Sequence, residues 1–174
     1  MISGLILSDD GKINSEIAFL GDELKVFSLE NNQEIVEKIK EFEPEIVAVN
    51  SASEIIREEL SEQEEDLKEE GYNFTPSRTE SKKIKRLQAL KAVLNRDMMD
   101  SPEFIRFDPH ITADQLAIDG DKALNSYGID SSEINSARQF DAVLGSVTAR
   151  FYQQEQFQDL GVIVPENLES NDSE

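Results

Sequence analysis

The stretch ISGLILSDDGKINSEIAFLGDELKVFSL, residues 2–29, decides the fold. It divides into three largely apolar runs, 2–8, 13–20 and 24–29, each of strand length and separated by turn signals. Asp9-Asp10-Gly11 supplies the first turn, because Asp-Gly tolerates the positive φ that tight hairpins require. Gly21-Asp22 supplies the second. Three strands joined in this way form an antiparallel meander. Asn31-Asn32 then offers an N-cap for a helix over 33–42, with Ile35, Ile39 and Phe42 on one stripe and Pro44 beyond its end. Residues 46–49, Ile-Val-Ala-Val, are apolar on both faces, as a buried parallel strand must be. A meander followed by a helix and such a strand predicts a mixed sheet with a right-handed crossover.

Further along, the charge separates into blocks. A helix is expected over 53–70, closed by Gly71; residues 54–70 hold nine acidic side chains against Arg57 and Lys68. A short strand is expected at 72–74 before Pro76, then a basic helix over 79–96. The segment 78–96 carries Arg78, Lys82, Lys83, Lys85, Arg86, Lys91 and Arg96 against Glu80 alone. A strand at 104–107 and mostly helical sequence over 112–127, weakened at Gly120, lead to a final helix over 133–155, with Ser131 and Ser132 as candidate caps. No internal repeat or second domain is visible. One domain over 1–164 with a disordered acidic tail at 165–174 is expected.

Composition narrows the chemistry. Cysteine is absent, which removes disulfides, thiolate catalysis and Cys-based zinc sites. No run reaches the roughly 18 apolar residues of a membrane span, and no signal peptide is visible, so a cytoplasmic protein is expected. With 17 basic and 37 acidic residues, the net charge of −20 repels nucleic-acid phosphates at long range. A high-salt cytoplasm, where screening is short-ranged, would also account for such acidity.

The last helix carries the sharpest local pattern. At 100° per residue, Ala137, Phe140, Leu144, Val147 and Phe151 share an arc of about 80°. Asp141 lies just outside it, beside Gly145 and Thr148. A carboxylate on the edge of a buried stripe, next to a glycine that permits close approach, can face a shallow site on the sheet. It can equally be a boundary residue paired with Arg138 three positions earlier.

Several stretches match one family in order and register. They are Pro44-Glu45-Ile46-Val47-Ala48-Val49-Asn50, Gly71-Tyr72-Asn73-Phe74-Thr75-Pro76, the Leu-rich segment 87–94, and Phe104-Ile105-Arg106-Phe107-Asp108-Pro109-His110. Arg138-Gln139-Phe140-Asp141-Ala142 through Ser146-Val147-Thr148-Ala149, and Gly161-Val162-Ile163-Val164-Pro165, complete the set. Over about residues 2–165 the chain resembles the archaeal branch of domain of unknown function 429, a group regarded as predicted nucleases of RNase H-like fold. The resemblance implies an α/β fold with a mixed five-stranded sheet, three strands in an antiparallel meander and two parallel, flanked by helices.

The resemblance also implies two divalent ions, Mg²⁺ or Mn²⁺, held by carboxylates from the first strand, a neighbouring strand and the last helix. In this chain the corresponding positions read Ile6, Asn50, Arg106 and Asp141. A single carboxylate survives. Asp141 and Asn50 are the candidate metal ligands, and Asp141 and Asp108 the candidate catalytic residues. Asp9 or Asp10 could assist as ligands, though both also suit a turn; His110 could serve as ligand or base. A further expectation is that the Arg106 guanidinium replaces an ion by pairing with Asp141.

The function expected is therefore a non-catalytic or weakly active RNase H-like protein, with a divalent-metal-dependent nuclease of DNA or RNA as the alternative. Arg78, Lys82, Lys83, Lys85 and Arg86 are candidates for binding nucleic acid or an acidic protein partner. No aromatic residue interleaves them, which disfavours a base-stacking platform. A kinase-like use of the same sheet lacks a Gly-rich phosphate loop.

Overall fold

The computed structural model describes residues 1–9, 12–50 and 55–166. β1 (Ile2–Ile6), β2 (Ser15–Leu20) and β3 (Leu24–Leu29) form the expected meander. α1 (Asn32–Phe42) crosses over to β4 (Ile46–Val49), which lies parallel to β1, and β5 (Glu103–Arg106) lies parallel to β4. The sheet order is β3-β2-β1-β4-β5, a mixed five-stranded sheet with the meander on one side and β5 as the outer strand on the other.

Strand pleating sends alternate side chains to opposite faces and so builds two core layers. Ile2, Ile6, Ala18, Ile46, Ala48, Ile105 and Phe107 face α5 (Ala137–Gln153). Leu5, Leu7, Ile17, Phe19, Val47 and Val49 face α1 and α3 (Ser81–Asp97). β1, at the centre, is buried along its whole length.

α5 sits on β1 at backbone distance, and two glycines permit it. A Cβ on Gly4 would run into the Ala142 carbonyl and the Ser146 amide nitrogen, and one on Gly145 would lie 2.9 Å from Gly4 Cα and 2.7 Å from Phe107 Cζ. The close crossing places the start of α5, with Asp141, beside the ends of the central strands.

The connections differ from their sequence expectations. The acidic helix contracts to α2 (Glu62–Glu69). Ser61 and Glu64 form a capping box that starts it at Glu62; residues 55–60 are non-helical, and the expected start at 53–54 lies outside the described residues. Its end is as expected: Gly71 has φ 106°, and Tyr72 N–H returns to the Leu67 carbonyl. Residues 72–74 form no strand, since no neighbouring strand is available to pair with them. The expected helix over 112–127 splits into α4 (Pro109–Gln115) and a 3-10 turn (Asp121–Tyr127), while α5 starts at a Ser136 cap rather than at Ser131 or Ser132. After α5 a hairpin unforeseen in the sequence, β6 (Phe157–Asp159) and β7 (Ile163–Pro165), takes in Pro165. Asp10, Gly11 and tail residues 167–174 lie outside the described residues.

Candidate functional site

The chemistry implied by the resemblance would gather where β1, β4 and β5 end beside α5. Each position there has a definite occupation. Ile6 is buried in the α5-side core. Asn50 extends the β1–β4 ladder: its N–H donates to the Leu5 carbonyl at 3.2 Å and its Oδ1 accepts from Leu7 N–H at 2.8 Å. Its carbonyl oxygen is thus engaged in holding two strands together.

Arg106 does not pair with Asp141. Ile105 and Phe107 point to the α5 layer, so Arg106 between them points the other way. Its Nη1 meets Glu64 Oε1 of α2 at 3.0 Å and donates to the Gly161 carbonyl at 3.2 Å, while the guanidinium lies 5.8 Å from the Phe74 ring centroid. Both charged side chains are largely covered, at 18% and 10% exposure. The expected register put arginine at the right strand end but on the wrong face for Asp141. Sequence reasoning missed Glu64; the Ser61-x-x-Glu64 capping signature pointed to its place at a helix start.

Asp108 caps α4, its Oδ1 accepting from His110 N–H at 2.9 Å and Ile111 N–H at 3.1 Å, with Pro109 in the first turn. Asp141 is half-buried, and burial pushes its carboxyl above the ordinary aspartate range. His110 and Arg138 oppose that shift electrostatically, and Asp108 adds to it. Arg138 instead directs Nη2 to the Asn14 carbonyl at 3.1 Å. Asp9 lies 3.8 Å from Lys83 Nζ, which is also 3.3 Å from Glu80 Oε1. A small cavity of about 70 Å³ at this end touches Asn50, Glu80, Arg106 and Asp108.

The basic residues divide. Arg86 is drawn inward: it donates to Asn32 Oδ1 at 2.6 Å and to the Ser8 carbonyl, Ser8 Oγ and Ser15 Oγ at 2.9, 2.7 and 3.2 Å. It ties α3 to the start of α1 and the β1–β2 connection, and burial lowers its pKa. Lys83 is largely covered between its two carboxylates. Lys82 and Lys85 are exposed, and Arg78 forms a surface pair with Glu58 at 2.7 Å.

The fold is shared with solved structures of RuvC. Thermus thermophilus RuvC in complex with a Holliday junction substrate superposes with a TM-score of 0.54 at 10% identity, over 95% of this chain and 99% of that one. A second Thermus thermophilus RuvC structure gives 0.53 at 11% identity, over 94% and 98%. The chain therefore has an RNase H-like fold of the RuvC kind. No family model and no curated protein matches the sequence, so the resemblance to domain of unknown function 429 gains no support beyond the fold.

The donors do not fit a pair of divalent ions. Among the described residues, no three Asp, Glu or His side chains converge as a metal cage. Hard ions need several oxygen ligands. Here the end of β1 is apolar at Ile6, the Asn50 amide oxygen is engaged by backbone, and Asp108 Oδ1 caps α4. No helix among the described residues is long and apolar enough to cross a membrane.

Proposed function

We propose that this protein uses a RuvC-like fold without metal-dependent cleavage, as a non-catalytic or at most weakly active module. The observation that carries this reading is the strand-end face beneath Asp141, where Ile6 is buried and apolar and the Asn50 side-chain oxygen is held by Leu7 N–H. One carboxylate beside an apolar side chain and an engaged amide does not supply the oxygen ligands a divalent pair needs, and Arg106 turns away to the opposite face to pair with Glu64. The reading keeps the affinity with domain of unknown function 429 suggested by the motif order, and places the protein in the cytoplasm, where a high-salt interior would suit its net charge of −20.

Binding would then run through the exposed cations of the segment 78–96, with Arg78, Lys82 and Lys85 outermost and Lys83 and Arg86 supporting the segment from behind. The partner is nucleic acid or an acidic protein surface. Two or three phosphate contacts give weak, salt-sensitive affinity.

The second reading is a divalent-metal-dependent nuclease, favoured by the half-buried Asp141 within electrostatic reach of Asp108 and His110. Labelled single- and double-stranded DNA and RNA, incubated with Mg²⁺ or Mn²⁺ and wild-type or Asp141→Asn protein, separate the two. The proposal expects equal background cleavage from both proteins; cleavage by wild type that Asp141→Asn abolishes overturns it.

A further inference from the structure

β5 is the outer strand of the sheet, and its pairing leaves one edge open. Glu103 N–H bonds to the Glu45 carbonyl and Phe107 N–H to the Val49 carbonyl, so the odd-numbered residues face β4. By the alternation of a parallel ladder, the N–H and C=O groups of Phe104 and Arg106 point away from the sheet. No strand among the described residues pairs with them.

A groove of about 470 Å³ runs along this edge. Its walls include Leu87 of α3 on one side and Phe157 and Ile163 of the β6–β7 hairpin on the other. A polar contact lies at each end of the strand. Tyr152 Oη donates to Glu103 Oε1 at 2.6 Å at one end, and Arg106 donates to the Gly161 carbonyl at 3.2 Å at the other. From Glu103 to Arg106 the strand spans four residues, about 10 Å of backbone at the usual rise. Ile55, 61% exposed, stands on the lip. Glu103 and Asp159, both exposed, give the rim negative charge.

We propose that this groove receives an extended segment of a partner protein, which adds to β5 as a sixth strand. Backbone groups of Phe104 and Arg106 would supply the register, and the apolar walls would take alternate side chains. The segment carries β-branched residues flanked by lysine or arginine, because the rim and the whole protein are acidic. A second copy of this chain is a poor occupant. It carries the same net charge of −20 and is repelled at long range.

The test is amide hydrogen exchange read by NMR, with the acetylated, amidated hexapeptide Lys-Val-Thr-Val-Thr-Lys as the probe. In the free protein the Phe104 and Arg106 amides should exchange faster than that of Ile105. With about 2 mM peptide they should slow about tenfold or more, and a peptide N-methylated on alternate residues should have no effect. Phe104→Pro removes one outward N–H at an edge position where proline is tolerated, and should abolish peptide binding in a protein with unchanged circular dichroism. If that variant does not fold, exchange in the wild-type protein decides. Unchanged exchange at Phe104 and Arg106 with peptide overturns the proposal. So does slowing produced by raising protein concentration alone, which would assign the edge to a second copy.

Discussion

Arg106 Nη1 lies 3.0 Å from Glu64 Oε1, joining the last strand of the sheet to a helix start 42 residues earlier in the chain. The same guanidinium reaches the Gly161 carbonyl, so one side chain fastens β5, α2 and the β6–β7 hairpin. The position where the family resemblance implied a carboxylate is instead the centre of an internal ion pair, on the sheet face away from Asp141.

Breaking that pair from one side should be costly, because it leaves a largely covered charge without its partner. Arg106→Met is expected to lower stability by about 3 kcal/mol. Arg106→Met combined with Glu64→Met should recover most of the loss, since neither charge is then stranded. Urea denaturation of the two single variants and the double variant measures this coupling; additive losses would show that the two residues act independently.

The glycine crossing gives a second expectation. Gly4→Ala sets a methyl group against the backbone of α5 at Ala142 and Ser146, where no side chain can rotate aside. Overpacking of this kind costs at least about 3 kcal/mol. Gly145→Ala meets the Phe107 ring as well as Gly4 Cα, and should cost about 1–3 kcal/mol because the ring can yield in part. Thermal unfolding of both variants checks the order; a harmless Gly4→Ala would mean that α5 rides higher on β1.

Asp141 supplies a pH dependence. Its carboxyl titrates above the ordinary range because burial disfavours the charged form. The stabilising contribution of the protonated form is complete below the unfolded-state pKa and is lost as pH rises through the higher folded-state value. Asp141→Asn should therefore be more stable than wild type at pH 7, with the difference closing below about pH 4. Urea midpoints across this range test it; a variant less stable at pH 7 would show that the charge has a stabilising partner.

Asp108 should behave as a cap. Asp108→Ala removes the acceptor for two backbone N–H groups of α4 and should cost about 1 kcal/mol, while Asp108→Asn should retain most of it. Chemical denaturation compares the two. Equal loss in both variants would point to a need for the negative charge itself.

The meander, the α1 crossover and the parallel β4 were legible because they are local: alternating apolar runs, Asp-Gly and Asn caps each act within a few residues. The mixed character of the sheet followed from the same signals, and its strand order came only with the structure. What escaped reading depended on contacts distant in sequence. Gly4 stood in a strand interior, a position that marks close backbone approach, but only its meeting with Gly145 showed what approaches. Arg106 and Asp141 occupy the strand and helix positions expected of them, yet pleating puts Arg106 on the opposite face, where Glu64 takes the role assigned to Asp141. The basic segment was visible as composition, whereas the inward turn of Arg86 toward Ser8, Ser15 and Asn32 required the packing of α3 against the sheet.

On the Asp141 face an apolar Ile6 and a backbone-engaged Asn50 stand where a metal pair would need carboxylates. Calorimetric titration of Mn²⁺ into wild-type and Asp141→Asn protein, in salt of about 0.15 M to screen the surface charge, tests it most directly. The expected result is weak uptake that is the same in both proteins. Stoichiometric binding in wild type that disappears in Asp141→Asn would contradict it.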